Sequence, residues 1–207
     1  FFSEDLKKYP IHSVCADNLV DKKIANSRYV KKNLDPICKS AVKNGVKYVT
    51  IPLLEDSNLV DDKKRQKFKK ILNEFCDNYP SLNFSLEAEL DPNKLLELIE
   101  DRDNVFVTYD TGNLTSCGFD HKQYIETVGH KISNVHLKDR KMDGSSVIPS
   151  TGDTKFKTIF KELKKINYPN VFTMQTTRQQ EGDEIFTVVQ HMEILRRIYA
   201  ESFWFKW

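Results

Sequence analysis

Glu87, Asp110 and His136 carry the clearest chemistry in the chain. Glu87 closes the run NFSLE, Asp110 closes VFVTYD and His136 closes SNVH. Two carboxylates and an imidazole make a donor set suited to Mn2+, Co2+, Zn2+ or Mg2+, with positions left open for substrate oxygens. Taken singly, each has a plainer explanation. A strand-end histidine is often a satisfied structural group, and an Asp before Thr-Gly-Asn caps a turn. Three such residues in succession, each closing an apolar run, favour one shared site. Glu89 has the same parity as Glu87, but the LE that ends the run points to Glu87. On this reading Gly112 and Asn113 turn the chain away, leaving the Asp110 carboxylate facing the site.

The elements that must bring them together are legible as apolar runs. Strands are predicted at Ile11–Cys15, Val46–Leu53, Leu82–Leu86, Val105–Tyr109, Ile132–Leu137 and Val171–Met174, each rich in β-branched or aromatic residues. Helical periodicity separates them. FKKILNEFC aligns Phe68, Ile71, Leu72, Phe75 and Cys76, and FKTIFKELKKI aligns Phe156, Ile159, Phe160, Leu163 and Ile166. A last helix over 184–199 is predicted to turn Val188, Met192, Leu195 and Tyr199 inward. Asp91-Pro92 reads as a cap followed by the first helical position.

Alternating β and α elements imply a parallel sheet covered by helices. No GxGxxG or GxxxxGK[ST] follows the first strand, which weighs against a doubly wound nucleotide-binding sheet. Polar residues gather instead at strand C-termini: Asp17, Glu55, Glu87, Asp110, His136 and Gln175. In a (β/α)8 TIM barrel that is where active sites form. The expected architecture is therefore one TIM-barrel-like domain over residues 1–207. It is incomplete, with about six βα units, and N-terminally truncated, FFSEDLKKYP reading as the end of a helix.

Bulk properties narrow the function classes. With 32 basic and 30 acidic residues the formal charge is +2, which gives no electrostatic footprint for nucleic acid or for a membrane surface. No run approaches the length of a membrane span, and without a secretory leader the expected compartment is the cytoplasm. The four cysteines show no metal or disulfide spacing and read as free, buried thiols. DDKKRQKFKK reads as the solvated face of a helix. The aromatic ESFWFKW is open to padding, association or disorder.

YDTGN, ISNVHLKDRKMDG, TGDTKFKTIFKEL and YPNVFTMQTTR together resemble the xylose isomerase-like TIM-barrel superfamily, and within it the sugar phosphate isomerases and epimerases. SLEAELDPNKLLELI is similar to that family's Glu-bearing strand, and VKYVTIPLLE to the strand before it. The resemblance implies one divalent ion held by Glu87, Asp110, His136 and a residue of the last strand, where the family has Glu and this chain has Gln175. It implies a small sugar or sugar phosphate as substrate, with a proton moved next to a carbonyl through an enediolate. Gln175 can ligate through its carbonyl oxygen but cannot accept a proton. Glu87 is then the base, with Lys138 or Glu55 as the acid. Lys138 lies on His136's side of its strand, and Asp139 is placed to orient it or an imidazole. Glu55, Asn113, Lys138, Arg140 and Arg178 are the expected substrate contacts, Glu55 having helix capping as its alternative.

Other readings of the same residues stand beside this one. A dehydratase would use the same metal site. Gln175 also fits a binding or vestigial module without turnover. An endonuclease IV-like nuclease needs more histidines at strand ends than this chain has. Open barrel edges would favour a homodimer.

Overall fold

The computed structural model describes residues 8–169, 171–179 and 181–204. Residues 1–7, expected as a helix end, and residues 205–207 of the aromatic tail lie outside them. All six predicted strands form, with ends within two residues of expectation: β1 (Ser13–Cys15), β2 (Tyr48–Leu53), β3 (Asn83–Ala88), β4 (Val105–Asp110), β5 (Ile132–Leu137) and β8 (Val171–Met174). They lie in one sheet in chain order, parallel from β1 through β4 and again from β5 to β8. Among the described residues this is a (β/α)8-type arrangement that supplies six parallel-sheet strands, a closed barrel having eight.

Compact units end at Thr108 and begin at Tyr109, the division falling inside β4. In the first, α1 (Ser27–Lys43), α2 (Asp62–Asn78) and α3 (Pro92–Ile99) follow β1, β2 and β3. Each helix starts where a side chain satisfies its first free N–H groups. Asn26 accepts from Tyr29 N, Asp61 from Lys64 N, and Asp91 from Asn93 N and Lys94 N. Val30, Leu34, Cys38 and Ala41 form the buried stripe of α1, and Phe68, Ile71, Leu72 and Phe75 that of α2. Strand alternation puts Val49, Ile51, Phe84, Leu86, Val105 and Val107 on one face, all essentially inaccessible. Burying each such side chain stabilises by about 1.5–3 kcal/mol. On the alternate face the Thr108 hydroxyl meets Ser85 Oγ at 2.6 Å and Thr50 Oγ1 at 3.4 Å. Most of the basic run is solvated, but Lys69 is largely covered beside Asp101, and Arg65 turns inward. That side chain is buried and donates through Nη1 to Leu59 O at 3.0 Å, tying down the entry to α2.

The second unit holds α4 (Thr111–Ser116), α5 (His121–Val128), a two-stranded hairpin of β6 (Asp139–Arg140) and β7 (Ser146–Val147), α6 (Phe156–Lys165) and α7 (Glu184–Trp204). Phe156, Ile159, Phe160 and Leu163 bury as predicted, whereas Ile166 lies past the helix end and is exposed. The face of α7 is rotated from the expected one. Thr187, His191, Leu195 and Ser202 are buried, while Val188 and Tyr199 are exposed. Hydrogen bonds explain the shift. His191 bonds through Nδ1 to Thr176 Oγ1 and through Nε2 to the Gln179 amide, which turns a polar residue inward. The cysteines are free, but only Cys38 and Cys76 are buried; Cys15 and Cys117 are exposed.

Candidate metal centre

β3 ends with Glu87 as its last residue but one, β4 ends on Asp110, and β5 carries His136 one residue before its end. All three side chains are buried, and one ligand atom from each lies within 4.8 Å of the others. His136 Nδ1 and Asp110 Oδ2 are 3.9 Å apart, too far for a hydrogen bond and within the span of two donors on one ion. Two carboxylates buried this close repel each other unless positive charge or protons intervene. The donor set therefore fits a divalent cation, with Glu87, Asp110 and His136 as the residues to hold it.

Of the two sequence readings of Asp110, the cap is observed, and the other carboxylate oxygen is left toward His136. Its Oδ1 accepts the Asn113 N–H at 2.7 Å and so caps α4, while Oδ2 faces His136. The expected Gly-Asn turn is thus a helix that starts at the very next residue. Thr111, the first residue of that helix, grips the end of β5: its Oγ1 donates to Lys138 O at 2.7 Å and accepts from Lys138 N at 2.9 Å. Gly112 is required there, because a Cβ would stand 2.9 Å from Lys138 Cγ and 3.1 Å from Lys138 O.

The remaining candidates divide. Lys138 is half-buried beyond His136, its stem over Gly112. Asp139, expected to orient Lys138 or an imidazole, is instead buried and accepts from Gly152 N at 2.9 Å and Thr154 N at 3.2 Å, holding the loop before α6. Asn113 is buried inside α4, behind Asp110. Arg140 is half-buried in the β6–β7 hairpin. Glu55 is exposed in a short 3-10 turn at φ 47°, and the cap of that turn is made by Ser57 Oγ accepting from Leu54 N, so Glu55 is not the capping residue. Gln175 is exposed just after β8, its N–H donating to Leu137 O. Arg178 is exposed and lines a cleft of about 440 Å3 with Thr176, Gln179 and Glu184.

Sequence reasoning passed over the residues beneath the strand ends. Ser85, Thr108, Asn134 and Thr173 each stand two places before Glu87, Asp110, His136 and Gln175, and Thr173 Oγ1 donates to Asn134 Oδ1 at 3.0 Å. A period-two polar pattern inside apolar runs was the available signal. His121 was also passed over. It is buried between Tyr109 Oη, 2.5 Å from Nδ1, and Thr115 Oγ1, 2.9 Å from Nε2. Burial pushes its pKa down to about 4.

Parallel βα units with ligand-type residues at the strand C-termini define the class: a barrel-derived α/β protein with a candidate metal centre. The family described as xylose isomerase-like TIM barrel matches residues 20–198, and the chain belongs to it. Among solved structures, a D-tagatose 3-epimerase-like protein is similar at 19% identity, with a TM-score of 0.76 over 96% of this chain and 81% of that one. The IOLI protein with a bound zinc atom matches at 16% identity and TM-score 0.71, over 97% and 92% of the two chains. The D-psicose 3-epimerase of Clostridium cellulolyticum H10, solved with D-tagatose, matches at 15% and TM-score 0.65, over 96% and 89%. At such identities the likeness is one of fold. No curated protein matched the sequence.

Proposed function

We propose that this chain is a metal-dependent isomerase or epimerase of a small sugar or sugar phosphate. The observation that carries the reading is the buried grouping of Glu87, Asp110 and His136 at the ends of successive strands. A tagatose epimerase-like protein, a psicose epimerase and a zinc-bearing protein of the same fold support it. A divalent ion, Mn2+, Co2+, Zn2+ or Mg2+, would be held by those three residues, and when bound it supplies positive charge that polarises the substrate's oxygens.

The protein's own part is proton movement. Glu87 takes the proton from the carbon beside the carbonyl, leaving an enediolate. Gln175 cannot return it, since an amide neither gives nor takes a proton in the useful range. Lys138, on the His136 side of its strand, is the acid. Arg140 and Arg178 supply charge for a phosphate if the substrate carries one. The test is exchange of that carbon-bound hydrogen. The Mn2+-loaded chain in D2O, mixed with a panel of ketoses and ketose phosphates, should place deuterium beside the carbonyl, as read by proton NMR. Glu87→Gln should abolish the exchange. No exchange with any substrate from a chain that holds one ion would sink the enzyme reading. Gln175 favours that second reading, a metal-holding module without turnover.

A further inference from the structure

The geometry points to His121 and Thr111 as positioning residues that set Asp110 and the end of β5 in place before any ion arrives; this rests on reading the three buried residues as a metal centre. Bond directions follow from proton counting. Thr115 Oγ1 has one proton and donates it to Thr111 O at 2.7 Å, so toward His121 it can only accept. His121 Nε2 is therefore the donor at 2.9 Å, and Nδ1 accepts from Tyr109 Oη at 2.5 Å. The path runs from the Tyr109 side chain through His121 and Thr115 to the Thr111 carbonyl. Tyr109 and Thr111 are the two neighbours of Asp110, so the path closes a ring of hydrogen bonds around that residue. Thr154 Oγ1, 3.2 Å from Thr115 Oγ1, ties the ring to the loop before α6.

Thr111 carries the constraint onward. Its two bonds to the Lys138 backbone key the start of α4 to a point two residues beyond His136. Thr111 and Tyr109 are wholly buried, and His121 nearly so. Groups held in this way fix the orientation of ligands they do not themselves contact through an ion, and losing such support commonly costs about 10- to 100-fold in metal affinity.

The experiment compares the full chain with Thr111→Val, Thr111→Ser and Tyr109→Phe. Mn2+ affinity is measured by equilibrium dialysis on samples shown to be folded by circular dichroism, and Lys138 amide exchange is followed without metal. Phe160→Ala, buried in α6, serves as a control that lowers the urea midpoint and leaves Mn2+ affinity unchanged. Thr111→Val and Tyr109→Phe should weaken Mn2+ binding by about 10- to 100-fold, while Thr111→Ser stays within about twofold of the wild type. Wild-type affinity in folded Thr111→Val and Tyr109→Phe would overturn the inference. So would an equal loss in Phe160→Ala. If the wild type takes up no Mn2+, the proposed function fails and the exchange data decide separately. Faster Lys138 exchange in Thr111→Val, restored in Thr111→Ser, supports the clasp, and unchanged exchange overturns it. Should Thr111→Val not fold, Tyr109→Phe carries the same test.

Discussion

His121 is the residue whose charge the fold most clearly opposes. Its pKa lies near 4 in the folded chain because burial disfavours the imidazolium. The unfolded chain protonates this group near pH 6.5, so the folded state gains stability above that value and loses it as pH falls toward 4. The full shift is worth roughly 3 kcal/mol, of which roughly 2 is gone by pH 5. His191, also lowered by burial, acts in the same direction. Urea midpoints at pH 7 and pH 5 should differ in the wild type by more than in His121→Gln. A second residue-scale expectation concerns Gly152, where a Cβ would stand 2.4 Å from Asp139 Oδ1 and 2.8 Å from Arg140 O. Gly152→Ala should cost about 1–3 kcal/mol, as overpacking does, and thermal melts would show it. Glu87, Asp110 and His136 were legible because each ends an apolar run. Thr111 and Thr154 were not, because their bonds reach Lys138 from 27 and 16 positions away and leave no local pattern.

Elements declared themselves through apolar periodicity and caps. Asp91-Pro92 opens α3 as the residues imply, with the Asp91 carboxylate on two backbone N–H groups. Asp91→Ala should cost about 1 kcal/mol and lower the urea midpoint without touching metal uptake. The period failed where polar residues turned inward. On α7 the apolar residues run nearly all round, with Ile185, Phe186, Val188 and Val189 exposed, so hydrophobicity could not choose a face and the His191 bonds did. The β6–β7 hairpin, two residues a side, was too short to leave any signal. Asp139 and its loop contacts show why: that part of the chain is organised by a side chain bonding to backbone rather than by periodicity.

At the scale of the whole molecule, β1 and β8 are the edges of the sheet, and β8 exposes Val171 and Phe172. Ile185 and Phe186, 83% and 61% exposed, add apolar surface on α7. Exposed apolar side chains on a terminal strand and on a helix favour pairing with another chain. Sedimentation velocity should show mass rising with concentration, and Ile185→Lys with Phe186→Lys should reduce it; a strict monomer at every concentration would contradict this. Six strands could be counted from the sequence, since each is a separate apolar run. No helix among the described residues is long and apolar enough to cross a membrane.

Asp110 holds α4 with one oxygen and faces His136 with the other. A lineage that gave up its ion would still be under selection to keep this aspartate, because the helix behind it would fray without the cap. Its presence in a relative is therefore weak testimony to chemistry. No helix among the described residues has Glu87 or His136 at its N-cap position, and a relative in which both have drifted while Asp110 persists is the record of a retired centre.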